Sequence, residues 1–224
     1  MQKYMKIQEE NNVKEDNVKS SQPFHFEYLL RDPVVILIEN FLTANEIDAI
    51  LDSATQDRST DVGQNDVSPD RTSSSYWFLQ SETKPLQMLE DRVEKLLSIE
   101  KSYHEPIQLV KYLNGQQYKT LFDYFDANDP FGYEEVINRG QRCITVMAYL
   151  RARTSDGKPL TSGGTFFPKL NLTVPAVEGS ALLFFNSDAN GNVDPQTEHG
   201  GMPFENEDGV KIAVNIWIRN KPYV

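Results

Sequence analysis

The stretch "KIAVNIWI", residues 211–218, decides how this chain folds. Side chains alternate along a strand, so Ile212, Val214, Ile216 and Ile218 face one way, and Lys211, Ala213, Asn215 and Trp217 the other. A face made only of branched apolar groups needs a hydrophobic cover. A face that mixes a lysine with a tryptophan either meets water or lines a cavity.

Upstream of this strand, short runs rich in β-branched and aromatic residues follow one another from residue 107. They are "IQLVKYL" (107–113), "YKTLFDYF" (118–125), "CITVMAYL" (143–150), "TFFPKL" (165–170), "LTVPAV" (172–177) and "SALLFF" (180–185), separated by Gly, Pro, Asn and Asp clusters. Further upstream, "PVVILIENF" (33–41) reads as a buried strand. Two amphipathic stretches supply the cover. In the first, over 43–54, Thr43 and Glu46 have capping-box spacing and Leu42 can staple to Ile47, while Ile47, Ile50, Leu51 and Ala54 share a face. The second, over 86–99, sets Leu86, Leu89, Val93, Leu96 and Leu97 on one side. Helices first and many strands afterwards predict a mainly β chain of the α+β class, an antiparallel sandwich or jelly roll with helices on one face. The polar stretches 55–75 and "DANDPFGYEEVINRG" (126–140) read as loops bordering a groove.

A length of 224 residues fits one domain, expected over 23–224 behind a polar tail at 1–22. With 22 Lys and Arg against 33 Asp and Glu, the net charge of −11 argues against a nucleic-acid partner and suits a basic or neutral ligand. The absence of an 18-residue apolar run argues against a membrane span, and the N-terminus lacks the apolar core of a signal peptide. A soluble, intracellular monomer is the expectation. Cys143, the single cysteine, excludes an internal disulfide or a Cys-based zinc cluster and reads as a small core residue. His25 and His104, outside every motif, read as solvated side chains.

Five fragments in order, "RTSSSYWFLQ" (71–80), "YLNGQQY" (112–118), "YKTLFDYF", "SGGTFFPKL" (162–170) and "HGGMPF" (199–204) with the closing "GVK…WI", make residues 33–220 resemble the prolyl 4-hydroxylase branch of the 2-oxoglutarate- and Fe(II)-dependent dioxygenases. The resemblance implies a double-stranded β-helix holding iron through a His-x-Asp pair and a distant His. Asp123 matches the carboxylate and His199 the distant imidazole, whereas the first His position holds Leu121, which cannot coordinate a metal. Lys211 matches the residue that pairs with the far carboxylate of 2-oxoglutarate. Tyr112 and Thr165 match hydrogen-bonding positions for the same cosubstrate, and Trp217 a pocket wall. Arg71 and Arg142 match positions near the peptide groove and are candidates for substrate contact. The "GGET" run of the family reads "SGGT" here, and His199 to Lys211 is two residues longer than the usual pattern.

The function so implied is hydroxylation of a peptidyl, expectedly prolyl, residue with release of succinate and CO2, with Fe(II) and 2-oxoglutarate as cofactors and ascorbate admitted as a third. Two further readings stand beside it. One is a pseudoenzyme that binds a peptide through the retained groove; the other is a purely structural barrel, against which the retention of Tyr112, Asp123, His199 and Lys211 counts.

Overall fold

The computed structural model describes residues 23–56, 72–188 and 190–223. The expected tail at 1–22, most of the 55–75 loop, and Arg71 lie outside the described residues. Strands β1 (His25–Arg31) and β2 (Val34–Glu39) lead into helix α1 (Ala44–Gln56). β3 (Ser74–Trp77) and helix α2 (Lys84–Leu97) follow, then β4 (Gln108–Leu113) and β5 (Tyr118–Leu121). After helix α3 (Pro130–Arg139) come β6 (Arg142–Arg153), β7 (Thr165–Phe167), β8 (Leu172–Val174), β9 (Ala181–Phe185), β10 (His199–Gly201) and β11 (Val210–Arg219).

All strand pairs are antiparallel and fall into two sheets. The larger runs β1-β2-β9-β6-β11-β4-β3, and the smaller β5-β10-β7-β8. The result is a jelly roll. Ile144, Val146, Ala148 and Leu150 of β6 join Val214, Ile216 and Ile218 of β11 in one buried cluster with Ile47 and Ile50 of α1 and Leu86, Leu89, Val93 and Leu97 of α2. The branched face of β11 therefore lies under the helices, as its alternation demands. A second cluster, Val35, Leu37, Phe167, Val174, Leu182 and Phe184, fills the space where strands of both sheets face each other.

The helix ends follow local chemistry. The Thr43 N–H donates to Glu46 Oε2 at 2.8 Å, and the Glu46 N–H reaches Thr43 Oγ1 at 3.3 Å, the reciprocal bonds of a capping box. α2 starts with Pro85 in its first turn and stops at Ser98, whose φ of 54° is left-handed. Four expectations need correction, the first being the 55–75 loop, whose described ends belong to α1 (Thr55 and Gln56) and β3 (Ser74 and Ser75). "DANDPFGYEEVINRG" is not all loop, because Asp129 accepts from the Gly132 N–H at 3.0 Å and Pro130 opens α3. "YKTLFDYF" is strand only to Leu121, so Asp123 sits in the bend that follows β5. His104 is not solvated: it is 1% exposed against β11, and burial pushes its imidazole down to about 4. Cys143 is buried, as expected, and burial raises its thiol.

Candidate active site

The second face of β11 lines a cavity of about 220 Å3 at the open end of the roll. Lys211, Ala213, Asn215 and Trp217 form one wall, joined by Tyr112 of β4, Met147 and Tyr149 of β6, Thr165 of β7 and His199 of β10. Leu121 and Asp123 close the opposite side. Every predicted site residue among those described lines this one space.

His199 and Leu121 face each other directly across the β10–β5 ladder. The His199 ring is wedged against Phe184 and Phe167, with centroids at 4.8 and 5.5 Å. Its Nδ1 lies 2.9 Å from the Thr197 carbonyl oxygen; a carbonyl can only accept, so Nδ1 carries the hydrogen, and in the neutral tautomer that this fixes, Nε2 is the bare nitrogen. Nε2 points to Asp123 Oδ2, 3.5 Å away. A bare imidazole nitrogen and a carboxylate oxygen thus converge, which is a donor set for a divalent cation. Among the described residues no third protein donor joins them. Leu121 lines the cavity across the ladder from His199, and among the described residues no three His, Cys, Asp or Glu side chains gather to hold a metal. Asp123 and His199 fit a metal as two donors, one short of three.

Lys211 is 3% exposed and directly opposite Tyr112 in the β11–β4 register. Its Nζ donates to the carbonyls of Gly163 at 2.6 Å and Met202 at 3.0 Å and lies 4.1 Å from the Tyr112 ring centroid. Gly163 has a φ of +91°, and a Cβ there would press on Phe204 at 3.0 Å, so glycine is required where the carbonyl turns to the amine. Gly201 has a similar reason, since a Cβ would meet Tyr112 Oη at 2.9 Å. Among the described residues no carboxylate pairs with Lys211, and burial pushes its amine down to about 7. Thr165 Oγ1 and Tyr149 Oη share a hydrogen bond of 2.8 Å beside it.

At the other end of the cavity Trp217 packs on Trp77 with centroids 5.5 Å apart, and its Nε1 is buried without a partner. The Arg142 guanidinium lies 3.9 Å over the Trp217 ring and binds Glu105 in two-pronged fashion, Nε to Oε1 at 2.6 Å and Nη2 to Oε2 at 2.7 Å. Arg142 is therefore a fixed part of the wall rather than a free arm. Thr145, Asn186, Trp77 and Glu105 were not singled out by the sequence reading. Thr145 shares the parity of Met147 and Tyr149 on β6, and that alternation alone would have marked it as inward-facing.

The profile of the 2OG-Fe(II) oxygenase superfamily matches residues 107–219, and the chain belongs to that family. Its relatives put it in the prolyl 4-hydroxylase-like branch. Prolyl 4-hydroxylase 2 of Arabidopsis thaliana is 28% identical over 83% of this chain and 67% of its own length. Prolyl 4-hydroxylase subunit alpha-1 of Bos taurus is 26% identical, over 84% of this chain but only 34% of its own. Among solved structures, the viral collagen prolyl hydroxylase of Paramecium bursaria Chlorella virus-1, in its 2-oxoglutarate complex, superposes with a TM-score of 0.64 at 26% identity, covering 83% of this chain and 95% of that one.

Proposed function

We propose that this chain binds 2-oxoglutarate in the cavity, holds Fe(II) with Asp123 and His199 as its two protein donors among the described residues, and acts on a peptidyl, expectedly prolyl, residue presented at the mouth. The observation that carries this reading is the buried Lys211 amine without a carboxylate partner, set in the same cavity as a converging Asp and His. A buried cation without a counter-charge is costly, and a dicarboxylate that supplies the charge relieves that cost. Lys211 would meet the far carboxylate of the bound dicarboxylate, and Tyr112 and Thr165, which line the same cavity, would hydrogen-bond it. Lys211 is itself 3% exposed, and an ion pair formed at so desolvated a group is stronger than one in water. Iron, when bound, supplies the oxygen activation that couples decarboxylation of 2-oxoglutarate to hydroxylation, with ascorbate as a reductant of the centre.

Leu121 sets the weakness of the site. Loss of groups that merely support a ligand lowers metal affinity roughly 10- to 100-fold, so loss of a ligand lowers it by at least as much. The same leucine favours a second reading, a pseudoenzyme that keeps the cosubstrate pocket and the peptide groove without turnover. Succinate formation from 2-oxoglutarate in the presence of Fe(II) separates the two. The cosubstrate assignment is tested by metal-free calorimetry: Lys211→Ala should weaken 2-oxoglutarate binding by about 2 to 5 kcal/mol. Unchanged affinity would remove Lys211 from the site.

A further inference from the structure

Asp123 Oδ2 accepts a hydrogen bond from Thr145 Oγ1 at 2.7 Å, and Thr145 Oγ1 in turn receives Asn186 Nδ2 at 2.9 Å. All three side chains are buried, Asp123 at 5% exposure, Thr145 at 1% and Asn186 at 0%. The direction of this chain is fixed by chemistry. An ionised carboxylate can only accept, so the single hydroxyl hydrogen of Thr145 goes to Asp123, and whatever faces Thr145 from the other side must donate. That requirement puts the amide nitrogen of Asn186, not its oxygen, against the hydroxyl. The far end is anchored by backbone: the Asn186 N–H donates to the Cys143 carbonyl at 2.8 Å, and the Asn186 carbonyl accepts from Asp194 at 2.9 Å. Thr145 itself sits in the middle of the large sheet, paired with Trp217 on one side and Phe184 on the other.

Asp123 needs such a mount because its own backbone does not supply one. It lies in a bend beyond the end of β5, whereas His199 is wedged between two phenylalanines. We propose that Thr145 and Asn186 are positioning residues for the metal-facing carboxylate: a directed Asn186–Thr145–Asp123 relay, mounted on β6 and the end of β9, holds Asp123 at the angle at which it and His199 share one divalent cation. With Leu121 contributing no donor, the metal depends on two protein ligands among the described residues, and the one carboxylate of the two depends on this relay. The inference rests on the two-donor metal reading above.

The test is Mn(II) titration of the full chain, followed by calorimetry and by the paramagnetic signal of the bound ion, for wild type, Thr145→Val, Thr145→Ser and Asn186→Ala. Valine keeps the shape and removes the donor; serine restores the hydroxyl. Thr145→Val should bind Mn(II) about 10- to 100-fold more weakly, and Thr145→Ser should recover to within about threefold of wild type. Asn186→Ala should fall between them. Metal-free 2-oxoglutarate affinity, which reads the Lys211 end, should stay the same in all four and certifies that each variant is folded. If Thr145→Val does not fold, the Thr145→Ser and Asn186→Ala pair decides, and equal Mn(II) affinity of Asn186→Ala and wild type overturns the relay. Folded Thr145→Val that binds Mn(II) as tightly as wild type overturns it too. Wild type that binds no Mn(II) overturns both the relay and the metal reading beneath it.

Discussion

Lys211 carries the most chemistry of any single residue here. Its amine sits between two carbonyls and an aromatic ring, 3% exposed, and is pushed down to about 7 by burial. Free protein therefore holds it largely neutral above pH 7, while a bound far carboxylate demands the ammonium form. Binding must then take up a proton, and 2-oxoglutarate affinity should fall by up to tenfold per pH unit above about 7 and flatten below it. Calorimetry across pH 6 to 9 reads this directly, and a flat profile would mean that the amine does not meet the carboxylate. The inward direction of Lys211 and Trp217 was legible in alternation together with the family pattern. The desolvation of the lysine was not, because burial depends on which carbonyls a glycine turn brings to it. Glu105, which fixes Arg142, was hidden for a similar reason: thirty-seven positions separate the two partners.

Elements were read best where a local pattern and a tertiary need agree. α1 carries the predicted capping bonds, and α2 buries Leu86, Leu89, Val93 and Leu97 against β6 and β11. Val93 is fully buried in the middle of that seam, so Val93→Asp would put an unpaired carboxylate there. The loss should be several kcal/mol, on the order of 3 or more. A melting temperature equal to wild type would show that α2 is not the cover of the large sheet. α3 escaped the sequence reading because its signals, an Asp cap and a Pro at the first turn, were outweighed by polar neighbours and by exposed Phe131, Tyr133 and Ile137. Its hold comes from a distance, through Arg219 donating to Glu135 at 2.9 Å. β5 was read too long because "YKTLFDYF" stays rich in aromatic and apolar residues beyond the point where β10 stops pairing with it.

At the scale of the whole molecule, acid stability and metal affinity are the two properties that the buried groups set. His104, desolvated by burial, is neutral in the folded protein down to about pH 4, while the unfolded chain protonates it near 6.5. The unfolded state thus binds more protons between those values, and stability is lost as pH falls from about 6.5 to about 4, by about 3 kcal/mol in all. Denaturant melts at pH 7 and pH 4.5 should show that loss in wild type and less of it in His104→Phe; equal losses would assign the acid lability elsewhere. The central claim concerns the cavity. It is the proposal that this jelly roll of the 2OG-Fe(II) oxygenase superfamily binds its cosubstrate through Lys211 and a metal through Asp123 and His199, with Leu121 in the place that the family resemblance gives to an imidazole. Leu121 faces His199 across one ladder and lines the same cavity as Asp123, so Leu121→His needs no backbone change to add the missing donor. Anaerobic Fe(II) titration with saturating 2-oxoglutarate, wild type beside Leu121→His, is the most direct measurement. The account predicts that the variant binds iron at least about tenfold more tightly and forms succinate faster. Wild type that already matches the variant in iron affinity would contradict it, because the chain would then possess a third ligand that is not Leu121.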